Sequence, residues 1–145
     1  MQYPWLFALQ LAATLYMTGL IWFVQVVHYP LFQKVGPDQF LTYEQAHTRL
    51  TTYVVAPVML LELATAVLLL WGQPKSWIWW VNLGGLGLLW ASTFLIQVPL
   101  HTALSQTPDL AAMQRLAASN WIRTTLWTLR AALLLWILIR AGRGF

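Results

Sequence analysis

Cysteine is absent from this 145-residue chain. Its absence excludes disulfides, thiolate metal ligands and iron–sulfur clusters, so any metal here is held by nitrogen and oxygen. Charge is scarce as well. Asp, Glu, Lys and Arg make up 8% of the residues, where soluble domains carry about 25%. The eight Lys and Arg are scattered and form no basic stripe interleaved with aromatics. The net charge of +4 therefore gives no footprint of a nucleic-acid reader. With so few polar groups the position of each is informative, because polar side chains at membrane depth are costly and tend to be functional.

What fills the chain instead is apolar, at 59% of residues. Four runs, about 5–28, 51–72, 77–100 and 121–140, each approach the ~20 residues that cross a ~30 Å hydrocarbon core. They predict an all-α, four-transmembrane-helix bundle: one integral membrane domain, residues 1–145, partnered by the lipid bilayer. The first run exceeds a signal-peptide core and has no basic residue before it, so it reads as a retained helix. Trp5, Trp71, Trp77, Trp79, Trp80 and Trp121 fall near span ends, where amphipathic rings anchor at the interface. Trp22, Trp90, Trp127 and Trp136 fall deeper and either line a pocket or face lipid. Lys34, Arg49, Arg115 and Arg123 lie towards one side, and Lys75, Arg140 and Arg143 towards the other. The exposed basic tail favours cytoplasmic termini in a plasma (inner) membrane, with the opposite face outside. A homo-oligomer stays open.

Two of the three histidines close apolar runs in the same manner. His28 closes its run within VQVVHYPLF and is followed 19 residues later by His47; His101 closes its run within IQVPLHTAL and is followed 19 residues later by Asn120. A Thr-Thr pair (Thr51, Thr52; Thr124, Thr125) comes next in both. The pattern suggests two tandem helical hairpins offset by about 73 residues and related by a pseudo-two-fold along the membrane normal. Asp38 and Asp109 follow Gly-Pro and Thr-Pro turns and read as helix N-caps, so the second and fourth helices start well before their apolar runs. Such helices overhang the bilayer at roughly 50 Å each. Pro57 predicts a kink in the second, and Gly84, Gly85, Gly87 and Ala91 a close approach in the third.

Counting 1.5 Å per residue from the turns at Gly36 and Pro108 brings His28, Glu44, His47, His101 and Asn120 to one depth. Glu44 and His47 form a Glu-x-x-His pair on one helix face, the spacing used by four-helix carboxylate metal proteins. His28, Glu44, His47 and His101 are thus candidate ligands for a single zinc, copper or iron ion. The alternatives are histidines that hydrogen-bond at a wet interface, and a proton relay. Gln25 and Gln97, one turn inside, orient the imidazoles or bond across the bundle. With His28, His101 and Asn120 they are also candidates for holding a cofactor. Arg123 and Arg130 are the nearby cations, candidates for binding acidic substituents. Glu62 lies about four turns below His47, too far to share its ion, and Arg130 is its natural partner.

Several segments resemble the bacterial four-helix membrane protoporphyrinogen oxidases, which bind haem. They are GLIWFVQVVHYPLF in the first span, HTRLTTYVVAPVM entering the second, QVPLH in the third and RLAASN before the fourth. The chain departs from that family at Gln10, where the family carries a histidine, at Asn120-Trp121, where it carries Asn-Glu, and in lacking its third-helix lysine. The chain is also similar to small four-span families that include the anthrone oxygenases. The resemblance implies the bundle fold and a haem b-like pocket.

Three functions follow. The first is a membrane oxidoreductase using a metal or haem at the His/Glu layer on a lipophilic or planar aromatic substrate, with Glu44 ligating or shuttling protons. The second is a non-catalytic cofactor-binding or accessory subunit. The third is a small proton-coupled transporter built around Glu62.

Overall fold

The structure is a computed structural model, and it describes residues 3–142. Arg143, counted above in the basic tail, lies outside the described residues. Four helices account for nearly all of it: α1 (Pro4–Phe32), α2 (Pro37–Gly72), α3 (Trp77–Leu104) and α4 (Leu110–Gly142), each long and apolar enough to cross a membrane. Each packs on its neighbours in chain order and α4 returns to α1, so the helices stand at the corners of a square. The all-α four-helix bundle expected from the apolar runs is the fold observed.

The helices outrun the apolar segments that betray them, since apolar composition marks the bilayer and not the helix. At 36 and 33 residues, α2 and α4 are about 54 and 50 Å long. Gly36 caps α2 and Pro37 opens it. Asp38 is therefore in the first turn and not at the N-cap as expected, because a proline at N1 has no N–H to leave unsatisfied. Asp109 does cap α4, its Oδ1 accepting from the Ala111 N–H at 2.9 Å. α2 runs without interruption through Pro57.

Both α1 and α3 widen into a π turn, over Val24–His28 and Thr93–Gln97. In each, an N–H bonds five residues back: Tyr29 to Val24 O, and Val98 to Thr93 O. The next residue is a proline, Pro30 or Pro99, which lacks an N–H and crowds the carbonyl four residues before it. The helix relieves that crowding by opening one residue early.

Inside the square, apolar and polar layers alternate. One end is packed by Phe7, Leu69, Leu70, Trp79 and Leu134. The middle is packed by Met17, Ile21, Met59, Leu86, Leu89 and Trp127, and the histidine end by Tyr29, Phe32, Phe40, Leu104, Met113 and Leu116. Between the first two layers sits a buried polar cluster drawn from all four helices. Glu62 Oε1 accepts from Arg130 Nη1 at 2.6 Å and from the Thr14 hydroxyl at 2.8 Å. Its Oε2 accepts from Trp127 Nε1 at 3.0 Å, and Arg130 Nε donates to Asn82 Oδ1 at 3.2 Å. Gln10 joins the cluster through Thr14 and Thr65. Gly85 makes room for the arginine stem, since a Cβ there would lie 3.3 Å from Arg130 Cγ and Cδ.

Tryptophan placement follows the expected belts in part. Trp5, Trp71, Trp77, Trp80 and Trp121 are exposed, whereas Trp79 is buried against the edge of Phe7. Of the deeper four, Trp22 and Trp136 face outward, Trp127 is wholly buried, and Trp90 lines a cavity.

Candidate metal centre and the cavity beside it

The second polar layer lies between the middle and histidine-end cores. The π turn of α1 and the overhanging start of α2 bring His28 Nε2 to 2.9 Å from His47 Nδ1. One of those two nitrogens carries the proton they share. The Thr51 hydroxyl, one turn along α2, is 3.2 Å from the same His47 nitrogen. On the other side, His101 Nδ1 lies 2.6 Å from Glu44 Oε1. A carboxylate only accepts, so the hydrogen is on Nδ1, and in the neutral ring Nε2 is free to accept. The Tyr29 hydroxyl is 3.2 Å from that Nε2 and 3.4 Å from Gln97 Oε1.

Ligand atoms of Glu44, His47 and His101 all lie within 4.8 Å of one another. Two ligands on one ion are at most about 4.4 Å apart, twice a ~2.2 Å bond. The triad would need only a small closure to share a cation. The buried Glu44 Oε2 has no hydrogen-bond partner among the described residues, which is the open valence a cation satisfies. Two imidazoles and a carboxylate form the donor set of mononuclear iron and zinc centres. These residues fit a metal. His28 is not part of the triad and meets it through His47, in the manner of an outer partner that fixes a ligand's ring.

The remaining predicted residues fall around this centre without touching an imidazole. Gln25 donates to Ala117 O at 3.1 Å and accepts from Asn120 Nδ2 at 2.9 Å. Gln97 Nε2 donates to the Ser119 hydroxyl at 2.9 Å. Both glutamines bond across the bundle. Asn120 in turn accepts from Arg123 Nη1 at 3.3 Å, so it joins the layer through Gln25 and Arg123. Arg130 is one polar layer away, paired with Glu62, and does not line the cavity.

That cavity opens beside the triad, with a volume of about 470 Å³, inside the range of small-molecule sites. His47, His101, Tyr29, Thr51, Gln97 and Arg123 supply its polar wall. Its body is apolar, built by Met17, Ile21, Val24, Val55, Met59 and Trp90. Leu60 of α2 and Phe94 and Val98 of α3 also line it, yet are 56%, 57% and 45% exposed. The cavity therefore opens sideways between α2 and α3, at a level flanked by lipid-facing side chains.

Tyr29 is the functional candidate that the sequence reading passes over, together with Thr51. A tyrosine beside a terminal histidine reads as a belt aromatic. No signal in the sequence separates it from one; the π turn over Val24–His28 precedes it, and its ring is buried. Compared with known protein families, curated proteins and solved structures, the chain matches none of them.

Proposed function

We propose that this protein is a metal-dependent membrane oxidoreductase whose substrate is a lipophilic molecule entering from the bilayer. A single observation carries the reading. A buried carboxylate oxygen with no partner among the described residues lies within ligand reach of two imidazoles, and those imidazoles line an apolar cavity open to lipid.

Glu44, His47 and His101 would hold the ion, and His28 would orient His47. Iron suits both the two-histidine, one-carboxylate donor set and a redox role, whereas zinc has no redox chemistry. A bound iron would supply the electron-accepting step. The chain's own residues bind and orient. The apolar walls take the substrate body and exclude water, which strengthens every polar contact inside. The Tyr29 hydroxyl, held against His101 Nε2, places a proton at the cavity wall. On binding an ion, His101 would give it one ring nitrogen and give up the hydrogen bond that nitrogen makes, to Glu44 through Nδ1 or to Tyr29 through Nε2. We place the protein in a plasma (inner) membrane with cytoplasmic termini, on the basic tail, and the histidine end on the outer side.

Elemental analysis and an absorption spectrum of the purified protein test the reading. Stoichiometric iron or copper lost in Glu44→Gln and His101→Gln supports it. Haem absorbance lost in the histidine variants would move the cofactor to haem b, as the resemblance to protoporphyrinogen oxidases implies. A protein with neither bound transition metal nor haem would overturn it, and one carrying only zinc would remove the redox role.

A further inference from the structure

The bundle buries two arginines, and they are treated differently. Arg130 meets the Glu62 carboxylate at 2.6 Å and Asn82 at 3.2 Å. Arg123 is 8% exposed and has no carboxylate within 4.0 Å among the described residues. Its acceptors are neutral, Asn120 Oδ1 at 3.3 Å and the Tyr29 hydroxyl beside it, and its Nε has no partner among the described residues. The Trp127 ring stacks under the guanidinium at 5.3 Å, a favourable contact that leaves the charge in place. A cation with no anion in contact inside a membrane bundle is costly and calls for a counter-charge, and Glu44, the other charged side chain of this layer, faces His101. Arg123 lines the cavity, so there is space beside it for one. Trp90 Nε1, on the same cavity's wall residue, is likewise a buried donor without an acceptor.

We infer that the cavity binds a lipophilic carboxylate, with the acid group received by Arg123 and the hydrocarbon body by the apolar walls. The charge selects a monoanion, because a single unpaired guanidinium is available. The lining agrees: besides Arg123 it includes Thr51, which carries a hydroxyl donor, and carboxylate oxygens only accept. The sideways mouth between Phe94, Val98 and Leu60 admits a molecule already dissolved in lipid. The volume of about 470 Å³ suits one chain or a fused-ring acid, not a diacyl lipid with its headgroup. This names the substrate class for the proposed function and takes the same cavity as its site; the binding itself needs no metal.

The test uses purified full-length protein in lipid nanodiscs and a fluorescent polyene fatty acid, read by energy transfer from the cavity tryptophan. Palmitate, hexadecanol and pyrenebutyrate compete for the probe. Palmitate should displace it at a concentration about tenfold or more below that of hexadecanol, the effect of one desolvated charge contact. In Arg123→Gln that preference should shrink to within about twofold, and Arg123→Lys should restore part of it. Val55→Trp, which fills the apolar body, should abolish probe binding while helical content is kept. Stronger displacement by pyrenebutyrate than by palmitate would assign a ring-bearing acid instead of a fatty acid. Equal displacement by acid and alcohol in the parent protein overturns the proposal, as does an unchanged preference in Arg123→Gln or, if that variant does not fold, continued probe binding in Val55→Trp. Chelator-treated protein should keep the preference, so failure of the metal reading and failure of this one give different results.

Discussion

At the scale of single residues, the division of labour among polar groups can be measured. Glu62 and Arg130 are wholly or nearly buried and satisfy each other. Glu62→Gln or Arg130→Gln strands the partner, with an expected loss on the order of 3 kcal/mol. A double-mutant cycle on thermal unfolding in detergent should show the double variant recovering part of that loss. Single variants within about half a kcal/mol of the parent would show the pair contributes no specificity to the bundle. His28 should behave differently from His101. His28→Gln removes an orienting partner, and metal affinity should fall about 10–100-fold without vanishing. In the proposed centre His101→Gln would remove a ligand and should abolish stoichiometric binding; equal effects in the two variants would make His28 a ligand as well. The Glu62–Arg130 pair and the convergence of His28, Glu44, His47 and His101 follow from chain geometry counted off the turns. Tyr29 and Trp79 do not, because hydropathy cannot tell a core-facing aromatic from a lipid-facing one when both surroundings are apolar.

The elements explain why the polar layer is so compact. A regular α-helix advances about 100° per residue, and a π turn delays that rotation by one residue. At the end of this delay and just past it α1 presents His28 and Tyr29, and α3 presents Gln97 and His101. Pro99→Ala restores the missing N–H and lets α3 tighten. Stability should hold or rise slightly, while metal affinity falls about tenfold as His101 loses its alignment with Glu44. Isothermal titration with the metal alongside a melting curve separates the two effects. Unchanged affinity would mean that the π turn answers only to the proline. This widening was not legible in the sequence, where Pro30 and Pro99 look like the ends of apolar runs. The sequence pattern pointed to Pro57 for a kink, and α2 runs through that proline as one helix. Helix lengths were legible, because Gly36-Pro37 and Pro108-Asp109 mark where the overhangs begin.

For the whole molecule, two hairpins close into a square whose ends differ. One end, through Trp79, Phe7 and Leu134, is packed shut, and the other holds the polar wall and the cavity. Four spans also place the described ends, Pro4 and Gly142, on the same side of a membrane. Reporter fusions at either terminus should therefore give the same compartment signal, cytoplasmic if the basic tail orients the protein. Opposite signals would show that one of the four helices does not span. The sideways mouth between α2 and α3 has a kinetic meaning. A molecule that reaches the site through lipid never samples it from water, so occupancy follows its mole fraction among the lipids. Diluting a fixed amount of a ligand of this cavity with more bilayer should lower its occupancy even when the aqueous volume is unchanged. Binding at such a mouth is governed by surface dilution.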